Sequence, residues 1–145
     1  MAAFLWAQLE CAKEITNRRL ELWKFYHAEL ESLEKQGLLR RPIIPEACKH
    51  NAHMYYVLVN SESIRNVVLT KLKAKGIFAV FHYVPLHSAS AAKKFCQMNT
   101  KLPNTDDLSS RIIRLPLWVE MTNQQQSRVI SELSKVITTS MLKTA

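Results

Sequence analysis

The sequence predicts an α+β fold, an α/β sandwich in which a long N-terminal helix precedes a small, mostly antiparallel sheet with helices on one side. Three observations predict this architecture. Residues 3–36 contain neither proline nor glycine and carry apolar residues at helical spacing. Residues 53–60 and 77–83 are rich in β-branched and aromatic residues, and a second helical stripe follows Thr122. The 145 residues are enough for a single domain with a buried core.

The first element is a helix over residues 3–36 that ends at Gly37, because glycine readily takes the left-handed conformation that closes a helix. Phe4 and Trp6 widen its apolar surface near the start. A helix with this much aromatic surface needs a large partner, and the remaining chain is barely large enough to cover it. The apolar positions of the helix are Leu5, Leu9, Ala12, Ile15, Leu22, Trp23, Tyr26, Leu30 and Leu33.

The α+β part of the domain spans residues 53–142 and follows an irregular connector at residues 37–52, which contains two prolines. It begins with a strand at residues 53–60, where β-branched and aromatic residues are concentrated. Ser61 or Ser63 is suited to cap the helix that follows. The apolar face of that helix consists of Ile64, Val67, Val68 and Leu72.

Gly76 ends that helix and begins the segment that the other elements are predicted to support, GIFAVFHYVPLHSAS at residues 76–90. Both alternating faces of its first residues are apolar, which predicts a central strand that is covered on both sides. Pro85 cannot donate a ladder hydrogen bond, so the strand is expected to end near Tyr83.

Three polar side chains lie at the exit of this strand: His82, Tyr83 and His87. An imidazole can donate, accept or titrate near neutral pH, and the phenol adds a further hydrogen-bonding group. The set is suited to binding an oxygen-rich ligand. The alternative is that nearby backbone satisfies these side chains, which is the commoner fate of a histidine or tyrosine at a strand end.

The remaining elements are short, apart from the last. Residues 88–98 are predicted to form a short helix or an irregular segment, and residues 99–104 a loop. Thr105, Asp106 and Asp107 supply caps and negative charge for the start of a short helix, where both are favourable.

The sequence RLPLW at residues 114–118 predicts an extended segment that Pro116 keeps at a sheet edge or outside the sheet. Thr122 and Gln125 have the spacing of a capping box at the start of the final helix. The buried stripe of that helix is predicted to be Val129, Ile130, Leu133, Val136 and Ile137.

Composition limits the classes of partner. The net charge is +8, but the basic residues occur as scattered pairs among acids, so nucleic acid is not an expected partner. Two glycines are too few for a phosphate-binding loop. Cys11, Cys48 and Cys96 are odd in number and widely spaced, without a secretory leader or an apolar run that could span a membrane. We therefore expect free thiols, a cytoplasmic location and no membrane partner.

No complete catalytic or metal-binding set is predicted. His50 and His53 lie where the chain enters a strand, and their spacing turns the two side chains away from each other. Neither Cys48 nor Cys96 has the flanking signature of a protease nucleophile. Asp106 and Asp107 are the only aspartates and are expected at a helix start. The expectation from the residues is a scaffold that carries a few ligand-binding groups.

Four stretches in their order along the chain resemble the C-terminal small domain of the DegT–DnrJ type of sugar aminotransferase. They are AAFLWAQLE at residues 2–10, NAHMYYVLV at 51–59, GIFAVFHYVPLH at 76–87 and SSRIIRLPLW at 109–118, the last followed by a Met-Thr step. The resemblance covers essentially the whole chain, residues 1–145. It implies the C-terminal domain of the aspartate-aminotransferase type of fold.

The resemblance also implies a pyridoxal-phosphate-dependent dimer that transfers an amino group from glutamate to a nucleotide sugar, with active sites at the subunit interface. In that family the Schiff-base lysine and the cofactor contacts lie in a larger N-terminal domain, which we expect to be absent from this chain. We therefore expect no catalytic, cofactor-binding or metal-binding residue here, and no activity of the chain alone.

Substrate-binding residues are carried over only where the sequence matches. His82, Tyr83 and His87 are expected near the sugar-nucleotide pocket, with a histidine against hydroxyl or phosphate oxygens. His53 matches a position beside that site, and a satisfied strand residue is an equal alternative. Two other functions remain open: a binding module for an anionic sugar nucleotide or nucleic acid without chemistry, and an interaction domain that forms a homo-oligomer through exposed apolar faces.

Overall fold

The computed structural model describes residues 2–95 and 101–141. A three-stranded antiparallel sheet is combined with seven helices in this part of the chain, which confirms the predicted fold class. The strands are β1 (Leu39–Arg40), β2 (Tyr55–Val59) and β3 (Ile112–Leu115), and β2 is central. The helices are α1 (Ala2–Glu10), α2 (Ala12–Glu29), α3 (Glu31–Lys35), α4 (Glu62–Ala74), α5 (Ser90–Phe95), α6 (Pro103–Arg111) and α7 (Asn123–Met141).

The register of the sheet separates an inner face from an outer face. Tyr55 lies opposite Leu115 and Val57 opposite Ile113, and all four side chains are buried in the core. Because alternate residues of a strand point to opposite faces, Tyr56 and its partner Arg114 lie on the outer face. The core on the inner face is completed by residues of α2, α4 and α7, among them Leu22, Tyr26, Val68, Leu72, Leu133 and Ile137.

The predicted helix over residues 3–36 is not continuous. It is interrupted at Cys11 and at Leu30, where ψ is 6° and 0° and thus outside the helical range. The core buries residues of α2 and α3 and none of α1, so no buried side chain of α1 anchors it to the core. The predicted end is confirmed, since Gly37 has φ of 70° and its amide bonds the Glu34 carbonyl at 2.8 Å.

The predicted caps of α4 and α7 are confirmed, whereas the cap predicted at Thr105 to Asp107 is wrong, because α6 begins at Pro103 and its N-cap, Leu102, forms no side-chain cap bond. The Ser61 hydroxyl accepts a hydrogen bond from the Ile64 amide at the start of α4, and Gly76 ends that helix with φ of 72°. At the start of α7 the Thr122 amide donates to Gln125 Oε1 at 2.9 Å, and the Gln125 amide donates to Thr122 Oγ1 at 3.2 Å. All five residues of the predicted stripe of α7 are buried.

The prediction of a central strand after Gly76 is wrong. Only Val80 pairs with the sheet, at the edge beside β3, where its amide and carbonyl exchange hydrogen bonds of 3.1 and 2.7 Å with Arg114. Ile77 and Ala79 are buried, whereas Phe78 is 73% exposed. A run that is apolar on both faces also fits an edge segment whose outer face no described residue covers, and periodicity cannot separate the two cases.

Other boundaries differ in detail. The connector at residues 37–52 includes β1, and α6 begins at Pro103, two residues before the predicted Thr105. β3 ends at Leu115, immediately before Pro116. Cys96 and the adjoining residues of the predicted segment and loop, 96–100, lie outside the described residues. None of the helices described is both long and apolar enough to cross a membrane.

Candidate functional site

The polar residues predicted at the exit of the strand lie on a loop at the open edge of the sheet. A single 3-10 turn, Leu86–Ser88, closes this loop, and the Ser88 amide and hydroxyl both donate to the Pro85 carbonyl at 3.0 Å. Tyr83 is 79% exposed, and its ring meets the edge of the half-buried His82 ring at 5.0 Å. The loop therefore presents a phenol and an imidazole side by side to solvent.

His87 is held in place by a partner that the sequence interpretation missed. Its Nε2 atom lies 2.7 Å from Asp106 Oδ1 on α6, and only 12% of the His87 side chain is exposed. Asp106 was interpreted as a residue of a helix start, and nineteen residues separate the pair, so no local pattern connects them. The contact fixes the orientation of the imidazole ring on the surface beside α6.

Three shallow cavities surround the loop. The first, of about 390 Å³, is lined by Val80, Phe81, His82, Tyr83, Val84 and Arg114. The second, of about 190 Å³, lies on the other side of Val80 and Arg114 and includes His53. The third, of about 330 Å³, lies between the loop and α4 and includes Tyr83 and Arg65. The structure thus brings His82 and Tyr83 together, places His53 in a neighbouring cavity, and leaves His87 outside all three.

His53 has local partners. Its amide and its Nδ1 atom both lie 3.3 Å from the side-chain oxygen of Asn51, and the side chain is exposed. This geometry favours the alternative interpretation of His53 as a satisfied residue at the start of a strand. Its position in the cavity beside Arg114 nevertheless keeps it within the candidate site.

Arg114 is the site residue that the sequence interpretation did not single out. It lines the first and second cavities, and its buried Nε atom has no hydrogen-bond partner among the described residues. The available signal was the alternation in β3, which places Arg114 on the face opposite Ile113 and Leu115. The sequence interpretation did not assign Arg114 to a sheet face, because residues 114–118 were expected at a sheet edge or outside the sheet.

A match to a known protein family covers nearly the whole chain. Residues 1–134 match the model of the DegT/DnrJ/EryC1/StrS aminotransferase family. The chain belongs to this family. Its members are therefore the proper comparison for the open edge of the sheet and the loop.

The chain is also similar to individual proteins and solved structures. The chain is 31% identical to an uncharacterised protein of Methanocaldococcus jannaschii, over 90% of this chain and 34% of that protein. It is 29% identical to dTDP-4-dehydro-2,3,6-trideoxy-D-glucose 4-aminotransferase of Saccharopolyspora spinosa, over 90% of this chain and 32% of that protein. The fold matches Spr1654 from Streptococcus pneumoniae in its PLP-form with a TM-score of 0.82 and 21% identity, over 92% of this chain and 34% of that one.

This DegT/DnrJ/EryC1/StrS chain spans about a third of the length of the relatives it matches. The residues around the three cavities do not supply the lysine that a Schiff base with pyridoxal phosphate requires. No lysine lines any of the three cavities, and both aspartates belong to surface pairs, Asp106 with His87 and Asp107 with Arg111. Among residues 2–95 and 101–141, no three or more acidic, histidine or cysteine side chains are grouped so as to hold a metal ion.

Proposed function

We propose that this chain forms the substrate-side wall of a nucleotide-sugar aminotransferase. In this proposal the enzyme transfers the amino group of glutamate to a dTDP-linked 4-keto-6-deoxy sugar. The observation that supports it is the combination of the family match with a loop that presents His82 and Tyr83 beside a cavity. The Saccharopolyspora spinosa relative adds support, since its name also specifies a dTDP-linked 4-keto deoxy sugar.

The more specific proposal is a dTDP-4-amino-4,6-dideoxygalactose transaminase, which serves enterobacterial common antigen and lipopolysaccharide sugar biosynthesis. The proposed location is the cytoplasm, and the exposed free thiols of Cys11 and Cys48 are consistent with its reducing conditions. The proposal includes neither nucleic acid nor a membrane as a partner.

The loop residues bind and orient the sugar nucleotide in this proposal. In this proposal the Asp106 carboxylate accepts a hydrogen bond from the Nε2–H of His87, which leaves Nδ1 to accept a hydrogen bond from a sugar hydroxyl. The phenol of Tyr83 and the imidazole of His82 supply further hydrogen bonds at the cavity. The Schiff-base lysine and the contacts to pyridoxal phosphate come from outside the described residues, so the chain alone is proposed to bind without transferring an amino group.

Titration of the chain with dTDP-glucose tests the binding role. We expect His87→Gln and Tyr83→Phe each to weaken binding by about three- to tenfold, because each change removes one hydrogen bond to the ligand. Asp106→Asn is expected to weaken binding as well, because it removes the carboxylate that holds the His87 imidazole in place. Isothermal titration calorimetry measures all three. His50→Gln is the matched control, because His50 lies against Trp23, away from the loop.

If the affinity for dTDP-glucose is unchanged in His87→Gln, Tyr83→Phe and Asp106→Asn, the loop is not part of the binding site. A lysine-bound cofactor band on this chain, or amino transfer from glutamate by the chain alone, would contradict the proposed division of roles.

A second candidate function is self-association into a homo-oligomer, and the observation that favours it is the bare apolar surface of α1. Phe4, Leu5, Trp6 and Leu9 are all more than half exposed, and α1 buries no residue. Exposed apolar patches of this kind mark interaction surfaces. A second copy of the chain is the proposed occupant of this surface.

We expect sedimentation equilibrium to show a concentration-dependent dimer that Leu9→Lys converts to a monomer, because a charge at the contact has to be desolvated. Lys13→Glu, an exposed change just beyond α1 in sequence, serves as the control for a general charge effect. A wild-type monomer at high concentration would rule out this surface as a self-association site.

A further inference from the structure

Arg114 lies near the middle of the outer face of the sheet. Arg114 lies between Tyr56 of β2 and Val80 of the edge segment, and opposite residues of an antiparallel pair project to the same face. The backbone amide of Arg114 donates to the Val80 carbonyl at 2.7 Å and its carbonyl accepts from the Val80 amide at 3.1 Å, while its register opposite Tyr56 places it within the paired part of β2 and β3. The base of this side chain is therefore fixed by the sheet, and the side chain reaches two cavities at once.

Arg114 differs from the half of the eight described arginines that form ion pairs. Four others are paired with carboxylates: Arg18 with Glu21, Arg41 with Glu34, Arg65 with Glu62 and Arg111 with Asp107. Arg114 forms no ion pair within residues 2–95 and 101–141, and neither of its cavities is lined by an acidic residue. A buried guanidinium nitrogen without an acceptor is unfavourable, so this position is suited to an acceptor supplied by a ligand.

A second unpartnered nitrogen belongs to a residue that lines the same cavity. The Nδ1 atom of His82 is buried and has no hydrogen-bond partner among the described residues, and His82 and Arg114 both line the first cavity. A guanidinium recognises two oxygens at once through parallel hydrogen bonds, and an imidazole can add a third donor. Together they have the donor pattern that suits a phosphate or a carboxylate.

We infer that Arg114, with His82 beside it, forms an oxyanion subsite on the outer face of the sheet. The ligand chemistry is a phosphate or carboxylate group bound through the guanidinium edge that carries Nε. This inference deepens the proposed function and rests on it for the source of the oxyanion, which is the diphosphate of the sugar nucleotide or a carboxylate of the amino donor. The subsite itself depends only on the two orphaned nitrogens and the absence of acids around them.

The test is a nuclear magnetic resonance titration of the 15N-labelled chain with inorganic pyrophosphate and, separately, with glutarate. We expect a saturable shift of the Arg114 Nε–H resonance and of the His82 ring resonances. Tighter binding of pyrophosphate would indicate the diphosphate of the sugar nucleotide as the natural ligand, and tighter binding of glutarate would indicate a carboxylate of the amino donor. Arg114→Met is expected to weaken binding of the preferred anion about tenfold or more, and Arg114→Lys less, because a lysine retains charge without the bidentate geometry.

Arg19→Met is the matched control. Arg19 also has a buried Nε without a described partner, but it lies on α2 and lines neither cavity. Its replacement is expected to leave anion binding unchanged. Circular dichroism of each variant verifies that the fold persists.

Two outcomes would overturn the inference: no saturable shift at Arg114 with either anion, or equal anion affinity in wild type and Arg114→Met. If dTDP-glucose still binds through His87 and Tyr83 in either case, the proposed function stands and only the subsite fails. If pyrophosphate or glutarate binds at Arg114 while dTDP-glucose does not bind at all, the subsite stands and the proposed function fails.

Discussion

Replacing Tyr26 with alanine is expected to lower the free energy of unfolding by about 3–5 kcal/mol, as is typical when a buried aromatic side chain is deleted. Tyr26 is fully buried, and its ring stacks on Tyr55 with 5.1 Å between centroids. Its hydroxyl donates to the Pro116 carbonyl at 2.8 Å, which ties α2 to the chain that follows β3. Burial raises the pKa of Tyr26, with a smaller contribution from Tyr55, so the phenol stays neutral and keeps this bond. Urea unfolding at pH 7 measures the change.

Tyr26→Phe separates the hydroxyl from the ring. It retains the stacking and removes one hydrogen bond, so we expect a loss of about 1–2 kcal/mol from the unpaired carbonyl. Tyr83→Ala is the surface control and should change the free energy of unfolding by less than about 0.5 kcal/mol. Equal losses for alanine and phenylalanine at residue 26 would show that ring packing contributes nothing.

The second large effect is expected at Arg41. Arg41→Met should lower the free energy of unfolding by about 2 kcal/mol, less than for a fully buried ion pair because Glu34 remains partly exposed to solvent. The side chain is 13% exposed, and its Nε atom donates to Glu34 Oε2 at 2.6 Å. It also donates to the His27 carbonyl and lies 3.6 Å from Glu31. These contacts hold α2 and α3 against the chain just after β1.

The same cluster makes stability depend on pH. Partial burial alone would raise the pKa of Glu34, but hydrogen bonds from the Arg41 amide and side chain hold that pKa below its usual value. Desolvation, followed by the charge of Arg41, lowers the pKa of His27. Because both pKa values are lower in the folded state than in the unfolded state, the unfolded chain binds protons first as the pH falls, and the free energy of unfolding decreases. This decrease begins below about pH 6.5 for His27 and below about pH 4.5 for Glu34.

Urea unfolding at pH 7, 5 and 4 measures this trend. The free energy of unfolding should fall less steeply with decreasing pH in Arg41→Met than in the wild type. Without the Arg41 side chain the pKa of Glu34 lies closer to its usual value. Lys35→Met removes an exposed partner of Glu31 and is expected to leave the free energy of unfolding nearly unchanged, because solvent screens this pair. If the free energy of unfolding of Arg41→Met falls with decreasing pH as much as that of the wild type, the contacts of Arg41 with Glu34 and His27 do not cause the pH dependence.

Local chemistry in the sequence was a good guide to the elements. Gly37 and Gly76 end helices where expected because both adopt positive φ, and the reciprocal bonds of Thr122 and Gln125 need only four consecutive residues. The apolar stripe of α7 is buried because a helix with one apolar face has one way to pack.

Features that depend on distant residues were not predictable. The segment after Gly76 is apolar on both faces, and whether its outer face is covered depends on surfaces that the segment itself does not encode. β1 is only two residues long and pairs with β2 across the connector, so it carries no periodic signal. The contact between His87 and Asp106 and the position of Arg114 beside Val80 arise only when the sheet is assembled.

The attachment of α2 has a consequence for how the chain is synthesised. The side-chain Nε2 of Gln126 in α7 donates to the Leu22 carbonyl at 2.6 Å, and Arg18 donates to the carbonyls of Val119 and Met121. These partners leave the ribosome about 100 residues later, a delay of about 5–20 s at ordinary elongation rates. During that interval the apolar side of α2 has no native cover, so the nascent chain is expected to depend on chaperones until its last helix emerges.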